Sequence, residues 1–265
     1  MEIAGKTVVI TGGASGIGAG LARRFTRDGA AAVVIADVDR EGVQAVGKEI
    51  GALSVMCDVS REDDVFSLVE TAERERGPVD LFCSNAGIGT AGGVDVSDDA
   101  WRRIIDINLM AHIYAARACI PRMADRGGGY LLQTASAAGL LTQLGSAPYT
   151  VTKHAAVALA EWMSIAYAGL GIKVSALCPQ AVRTKMTARG GSVAAVDGML
   201  EPEDVADAVV EGLRDERFLI LPHPEVATYV KRKAEDRDRW LRGMRRLQER
   251  FPQLAQAAQG AFRRT

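Results

Sequence analysis

Short runs of branched apolar residues recur along the chain, separated by longer stretches in which apolar and polar positions alternate with a helical period. Residues 6–11 (KTVVIT), 32–36 (AVVIA), 53–57, 81–84, 130–134, 173–178 and 218–221 are mostly apolar throughout rather than alternating. That is the pattern of strands covered on both faces, as in a parallel sheet. The intervening segments at about 16–28, 40–50, 61–76, 98–125, 149–169 and 202–214 read as amphipathic helices. Ser60 with Asp63 suggests a capping box before the third of these, and Pro202 suits the first turn of the last. Strand–helix alternation predicts an α/β fold: one doubly wound Rossmann-type domain with a central parallel sheet of about seven strands, right-handed crossovers and helices on both faces. The domain is expected over residues 1–222, with a helical C-terminal extension over 223–265 packed on it. Residues 127–129 form a tight glycine connection, and residues 189–198, within a substrate loop at about 185–200, read as the most mobile segment.

Composition narrows the class without changing the fold. The chain has 265 residues, 48% of them apolar and 25% charged, and a net charge of −1. This suits a globular domain with a sizeable core and gives no reason to expect nucleic acid as a partner. Charge is uneven: residues 231–265 carry eleven Lys/Arg against four Asp/Glu. A solvated helix face or contact with an acidic neighbouring subunit explains this better than a nucleic-acid or membrane patch. Cys57, Cys83, Cys119 and Cys178 form no Cys-x-x-Cys pair, so reduced, buried thiols are expected. There is no signal-type stretch and no run of about eighteen apolar residues. A cytoplasmic protein without a membrane span is expected. His112, His154 and His223 are too scattered for a metal site and read as structural or surface residues.

Thr11-Gly12-Gly13-Ala14-Ser15-Gly16-Ile17-Gly18 follows the first strand and opens the first helix. Gly12 permits the turn, Gly16 lets the backbone approach a pyrophosphate, and Gly18 lets helix and strand pack closely. The helix N-terminus offers free amides and a positive dipole end to phosphate. Ser15 either caps this helix or touches a phosphate. Asp37 ends the second strand, where an acid accepts hydrogen bonds from adenosine ribose hydroxyls and repels a 2′-phosphate, favouring NAD. Asp58, followed by Val59, either contacts adenine or organises a turn. Asn85-Ala86-Gly87 ends the fourth strand, where small residues let backbone pass under a flat ligand.

Tyr149 and Lys153 stand four apart, on one helix face. A free phenol titrates near pH ~10, and a neighbouring ammonium lowers that value, which makes the pair an acid/base couple. Ser136 lies thirteen residues before Tyr149, just past the fifth strand, and Asn108 lies in the preceding long helix. With residues 11–18, Asp58, 85–87, Asn108, Ser136, Tyr149 and Lys153 in this order, the chain resembles the short-chain dehydrogenase/reductase family over residues 5–185. The resemblance implies that Tyr149 exchanges a proton with the substrate oxygen, that Ser136 holds that oxygen, and that Lys153 grips the nicotinamide ribose and depresses the Tyr149 pKa. It implies that Asn108 bends its helix through a water and links Lys153 to solvent, and that hydride passes directly, without a metal. Expected cofactor contacts are Gly12, Ser15, Gly16, Ile17, Gly18, Asp37, Asp58, Val59, Asn85, Ala86, Gly87, Tyr149, Lys153, Pro179, Val182 and Thr184.

Two departures from the family pattern stand out. Pro179-Gln180 replaces Pro-Gly after the sixth strand, and the glycine-rich stretch around the last strand is absent. Ile88, Ala137, Leu140, Leu141, Leu144, Gln180 and Met186 are expected to line a mostly apolar pocket, suited to a hydrophobic secondary alcohol or ketone. Arg183, Lys185 and Arg189 are near enough to keep an anionic group in play. An NADP-dependent 3-ketoacyl or polyketide-type ketoreductase and a non-catalytic nicotinamide-binding regulator are the competing functions. The helical segments 98–125 and 149–169 are those through which the family pairs, so a homodimer, or a homotetramer, is expected.

Overall fold

The computed structural model describes residues 1–188 and 195–260. Seven parallel strands form one sheet: β1 (Thr7–Thr11), β2 (Ala32–Asp37), β3 (Leu53–Met56), β4 (Leu81–Ser84), β5 (Gly129–Thr134), β6 (Ile172–Leu177) and β7 (Leu219–Ile220). Their spatial order is β3-β2-β1-β4-β5-β6-β7. The chain therefore winds outward from β1 in one direction, then returns to place β4 on its other side. That reversal is a topological switch point, and it opens a crevice at the carboxyl ends of the strands. The central register, with Val8 opposite Leu81 and Ile10 opposite Cys83, is fully buried.

The helices are α1 (Gly16–Arg27), α2 (Arg40–Ile50), α3 (Glu62–Arg76), α4 (Asp98–Ile105), α5 (Ala111–Asp125), α6 (Ala147–Ala166), α7 (Pro202–Arg214), α8 (Glu225–Glu235), α9 (Arg237–Glu249) and α10 (Pro252–Gln259). Two core layers result. One contains Val8, Ile10, Leu21, Phe25, Tyr130, Leu132, Val205 and Val209. The other contains Val9, Phe82, Leu68, Ala118, Leu131, Ala156 and Met163. Strand residues alternate between these layers, which is why each strand had to be apolar at every position.

Three local expectations change. Ser60 is not a helix cap: α3 starts after Arg61, and Ser60 instead donates its hydroxyl to Asp58 Oδ1 at 2.7 Å, which also accepts the Ser60 N–H. The long helix at 98–125 is interrupted by a π-helical turn, Asp106–Met110. Segment 149–169 begins two residues earlier, because Ser146 accepts the Tyr149 N–H and Pro148 fills the first turn. The cysteines are all buried and unpaired. Among the described residues no helix is long and apolar enough to cross a membrane. Of the expected mobile segment, residues 189–194, including Arg189, lie outside the described residues. Its base is pinned: Arg183 N–H donates to Leu200 O (2.8 Å) and Leu200 N–H to Ala181 O (3.1 Å).

Candidate active site

The crevice collects the residues singled out from the sequence. Gly12 has φ +69°, and a Cβ there would lie 2.9 Å from Ala86 Cα. A Cβ on Gly18 would lie 2.1 Å from Gly12 O, so α1 can meet the end of β1 only through a glycine. Ser15 precedes α1 but makes no side-chain cap. Its residue lines a cleft of about 670 Å3 with Gly16, Arg183, Thr184, Lys185 and Pro202. Thr184 also abuts Gly16, where a Cβ would sit 2.9 Å from Thr184 Cγ2. Ile17 packs partly buried against the core, and Val182 is buried at the pinned base of the substrate loop.

Asp37 is held firmly. One carboxylate oxygen accepts the Ala14 N–H (3.1 Å) and the other the Asp39 N–H (3.0 Å), which ties the end of β2 to the glycine loop. Asp58 spends one oxygen on Ser60, the turn-organising alternative, with the buried Val59 beside it.

Asn85 does more than allow a ligand to pass. Its Nδ2 donates to Thr11 O (3.0 Å) and its Oδ1 accepts from Thr134 Oγ1 (3.1 Å). Thr11 Oγ1 in turn accepts the N–H groups of Asn85 (2.9 Å) and Ala86 (3.1 Å). This clamp joins the ends of β1, β4 and β5. Sequence reading missed Thr11 as a member of it; its place as the last residue before the glycines was the available signal.

At the other end of the crevice, Tyr149 stands on the first turn of α6 and Lys153 one turn later. Ser136 follows β5, fixed by accepting the Ala138 N–H (3.1 Å) and approaching Pro179 O (3.4 Å). Lys153 is buried. Its ammonium donates to Thr134 O at 2.8 Å and lies 5.8 Å from the centre of the Tyr149 ring. A Cβ on Gly87 would come within 3.5 Å of that ammonium and 3.3 Å of Asn108 Oδ1.

Asn108, within the π-turn, is fully buried. Its Oδ1 accepts the Ile88 N–H (2.8 Å) and its Nδ2 donates to Ile88 O (2.9 Å). The amide braces the backbone just after Asn85–Gly87.

The electrostatics differ from the expected depression of the phenol. Burial pushes the Tyr149 pKa up, opposed by the hydroxyl of Ser136 and assisted by Cys178. Burial also pulls Lys153 down to about 8, with Cys178 opposing. For both groups burial is the largest influence, and it favours the neutral form of each.

The other histidines sort clearly. His112 is buried, with Nδ1 2.8 Å from Ser84 Oγ, and burial, then the charge of Lys153, pulls it to about 3. His154 turns away from Lys153, with Nδ1 2.9 Å from Thr150 O. His223 is buried after β7 and accepts the Gln180 N–H at Nδ1 (3.2 Å). Among the described residues no group of His, Cys, Asp or Glu is arranged to hold a metal.

The rim of the site is built by the C-terminal extension. Val226 packs with Ala137 and Leu141, flanked by Leu140, Leu221, Tyr229 and Trp240. Lys233 donates to Leu140 O (2.6 Å) and Leu141 O (2.9 Å). Leu254 of α10 lies 3.1 Å from where a Cβ on Gly145 would be, beside Leu144. Met186 reaches the opposite rim, at Gly89. Arg183 pairs with Glu201 (2.6 Å) and Lys185 with Asp39 (3.4 Å), so neither is a free anion clamp.

A seven-stranded parallel sheet with a glycine turn at its switch point and an acid at the end of the neighbouring strand β2 defines a dinucleotide-binding α/β protein. Residues 6–192 match the family model of the short chain dehydrogenases. The chain belongs to the short-chain dehydrogenase/reductase family. It is 35% identical to 1-deoxy-11-beta-hydroxypentalenate dehydrogenase of Streptomyces exfoliatus, over 89% of this chain and 90% of that one. It is 36% identical to the mitochondrial borneol dehydrogenase of Lavandula x intermedia, over 84% and 88%. A short-chain dehydrogenase/reductase of Burkholderia phymatum, solved in complex with NAD, superposes with a TM-score of 0.82 at 30% identity, covering 90% of this chain and 96% of that one.

Proposed function

We propose that the protein is an NAD-dependent oxidoreductase that interconverts a hydrophobic secondary alcohol and its ketone, with Tyr149 as the proton acid/base. The observation that carries this reading is that Tyr149, Ser136 and Lys153 meet at one end of a crevice whose other end holds the glycine turn and Asp37. The relatives named for dehydrogenation of 1-deoxy-11-beta-hydroxypentalenate and of borneol, and the NAD complex of the Burkholderia phymatum protein, support it.

The residues fit a dinucleotide. Amides of Gly12, Ser15, Gly16, Ile17 and Gly18 would hold the pyrophosphate, and the backbone-fixed carboxylate of Asp37 would accept from the adenosine ribose. Asp58 and Val59 would take the adenine end. Asn85, Ala86 and Gly87 would lie along the sugars, and Pro179, Val182 and Thr184 would take the nicotinamide end. Bound NAD supplies the hydride acceptor.

In alcohol oxidation, the Ser136 hydroxyl donates a hydrogen bond to the substrate oxygen and holds it beside Tyr149. The Tyr149 phenolate takes the hydroxyl proton as the C–H bond breaks. Lys153, its ammonium 5.8 Å from the centre of the Tyr149 ring, would bind the nicotinamide ribose and favour the phenolate. Asn108 acts as a positioning residue, through Ile88. Leu140, Leu141, Leu144, Ile88 and Met186 supply the apolar wall.

The four reduced cysteines suit a cytoplasmic protein. Exposed Trp162 and Ile165 on α6 suit a homodimer.

Replacing Tyr149 by Phe should lower NADH formation by roughly 100- to 10,000-fold, the usual worth of a positioned acid/base. NADH affinity, read by fluorescence titration, should stay within a few-fold. Wild-type turnover by the Phe variant would overturn the assignment.

A further inference from the structure

The carboxyl ends of β6 and β7 lie side by side, and each carries a residue outside the family pattern: Gln180 after β6 and His223 after β7. The two are joined, since the Gln180 N–H donates to His223 Nδ1 at 3.2 Å. His223 is only 3% exposed. With Nδ1 accepting, the proton of the neutral ring resides on Nε2. Burial lowers the pKa of His223, against the pull of Glu225, Asp197 and the Ala181 backbone. Burial thus favours the neutral ring, in which Nε2–H is a donor.

Among the described residues that donor has no hydrogen-bond partner. Neither has Gln180 Oε1, nor Asp197 Oδ2. Asp197 comes from the substrate loop and is tied through its other oxygen to Tyr229 Oη of α8 (2.9 Å). Among the described residues, five buried side-chain polar atoms lack a partner, and three of them belong to this one group. Buried polar atoms are normally satisfied, so a cluster of one donor and two acceptors marks a place for something that both accepts and donates. The place adjoins the chemistry: Pro179, next to Gln180, has its carbonyl 3.4 Å from Ser136 Oγ and accepts the Ala137 N–H.

We propose that Gln180, His223 and Asp197 form a polar subsite for a second oxygen of the substrate, a hydroxyl remote from the reacting carbon. The hydroxyl accepts from His223 Nε2–H and donates to Gln180 Oε1 or Asp197 Oδ2. The substrate class becomes a diol or a hydroxyketone on an apolar frame, rather than a simple hydrophobic alcohol. The subsite rests on the alcohol-oxidation reading above and adds the recognition of a second oxygen to it. A hydroxyl there satisfies these atoms, so the apolar frame can enter without leaving them unpaired.

The test compares cyclohexanol with 1,3- and 1,4-cyclohexanediols, using wild type, Gln180→Gly and His223→Phe, each confirmed to bind NADH. The readout is the ratio of kcat/KM for diol over mono-alcohol. Wild type should favour at least one diol roughly tenfold beyond the twofold statistical factor, about one good hydrogen bond. The ratio should fall towards two in either variant. A wild-type ratio near two, or a tenfold preference retained in both variants, overturns the subsite. If wild type turns over neither alcohol, the oxidoreductase reading fails separately. Binding of the same compounds to NADH-loaded protein, followed by saturation-transfer NMR, then decides: a diol preference lost in the variants upholds the subsite, and equal binding overturns it.

Discussion

Asp37 shows how one side chain both shapes and selects. Its two oxygens are anchored by the Ala14 and Asp39 amides, so the carboxylate cannot swing away from a cofactor phosphate. Like charges forced together cost several kcal/mol, or on the order of 100-fold in discrimination. NAD should exceed NADP in kcat/KM by about that factor, and Asp37→Ser should narrow the gap; steady-state kinetics with both cofactors decide it, and an NADP preference in wild type would count against the assignment. His112 carries a second residue-scale consequence. Its pKa is near 3 in the fold and about 6.5 in an unfolded chain, so below pH 6.5 only the unfolded state takes up the proton. Stability is therefore lost as pH falls from 6.5 towards 3, by up to roughly 1.4 kcal/mol per pH unit from this group. His112→Gln should show a shallower acid slope in urea unfolding; equal slopes for both proteins would show that His112 is not the source.

At the scale of elements, the π-turn at Asp106–Met110 aims Asn108 at both polar groups of Ile88. Asn108→Ala removes both hydrogen bonds to the half-buried Ile88 backbone, at about 0.5–1.5 kcal/mol for each. Denaturant unfolding should show a loss of that order, together with lower turnover, because Ile88 borders the reacting end of the crevice. Undiminished stability would mean the bracing is unimportant. This turn was illegible in the sequence: one extra residue in a helical turn leaves the apolar periodicity of 98–125 nearly unchanged, so the segment reads as continuous. The strands were legible for the opposite reason, since burial on both faces demands an apolar residue at every step, as in residues 7–11. Ser60 was misread because a serine followed by acids satisfies the capping pattern, while the competing partner, Asp58, stands on the other side of it. The site residues were legible as types at spacings, Tyr149 with Lys153 and Ser136. The state of the pair was not, because its pKa values depend on burial, which no local spacing reveals. Nor could spacing reveal that Gln180 and His223, 43 residues apart, share a hydrogen bond.

On the scale of the whole molecule, the dinucleotide cradle and the substrate rim come from different parts of the chain. The proposed cradle runs from β1 to Thr184, just past β6, whereas the rim needs α8 and α10. A protein ending at residue 252 should retain NADH affinity within a few-fold while losing discrimination among alcohols by size; a large loss of NADH affinity would show the two parts are not separable. The exposed Trp162 and Ile165 offer an apolar face for the proposed homodimer. Sedimentation should find a dimer, and Ile165→Arg should shift it to monomer; an unaffected dimer would place the contact elsewhere. Lys233 has a consequence in time as well as in space. It closes on Leu140 and Leu141, more than ninety residues upstream, and a growing chain presents its N-terminal parts first. A nascent protein can thus hold its cofactor before the mouth over Ser136 and Tyr149 has an edge. Chains that stop short of α8 would remain as occupied but unselective intermediates, visible to proteases at the 137–144 loop while their nucleotide half is already protected.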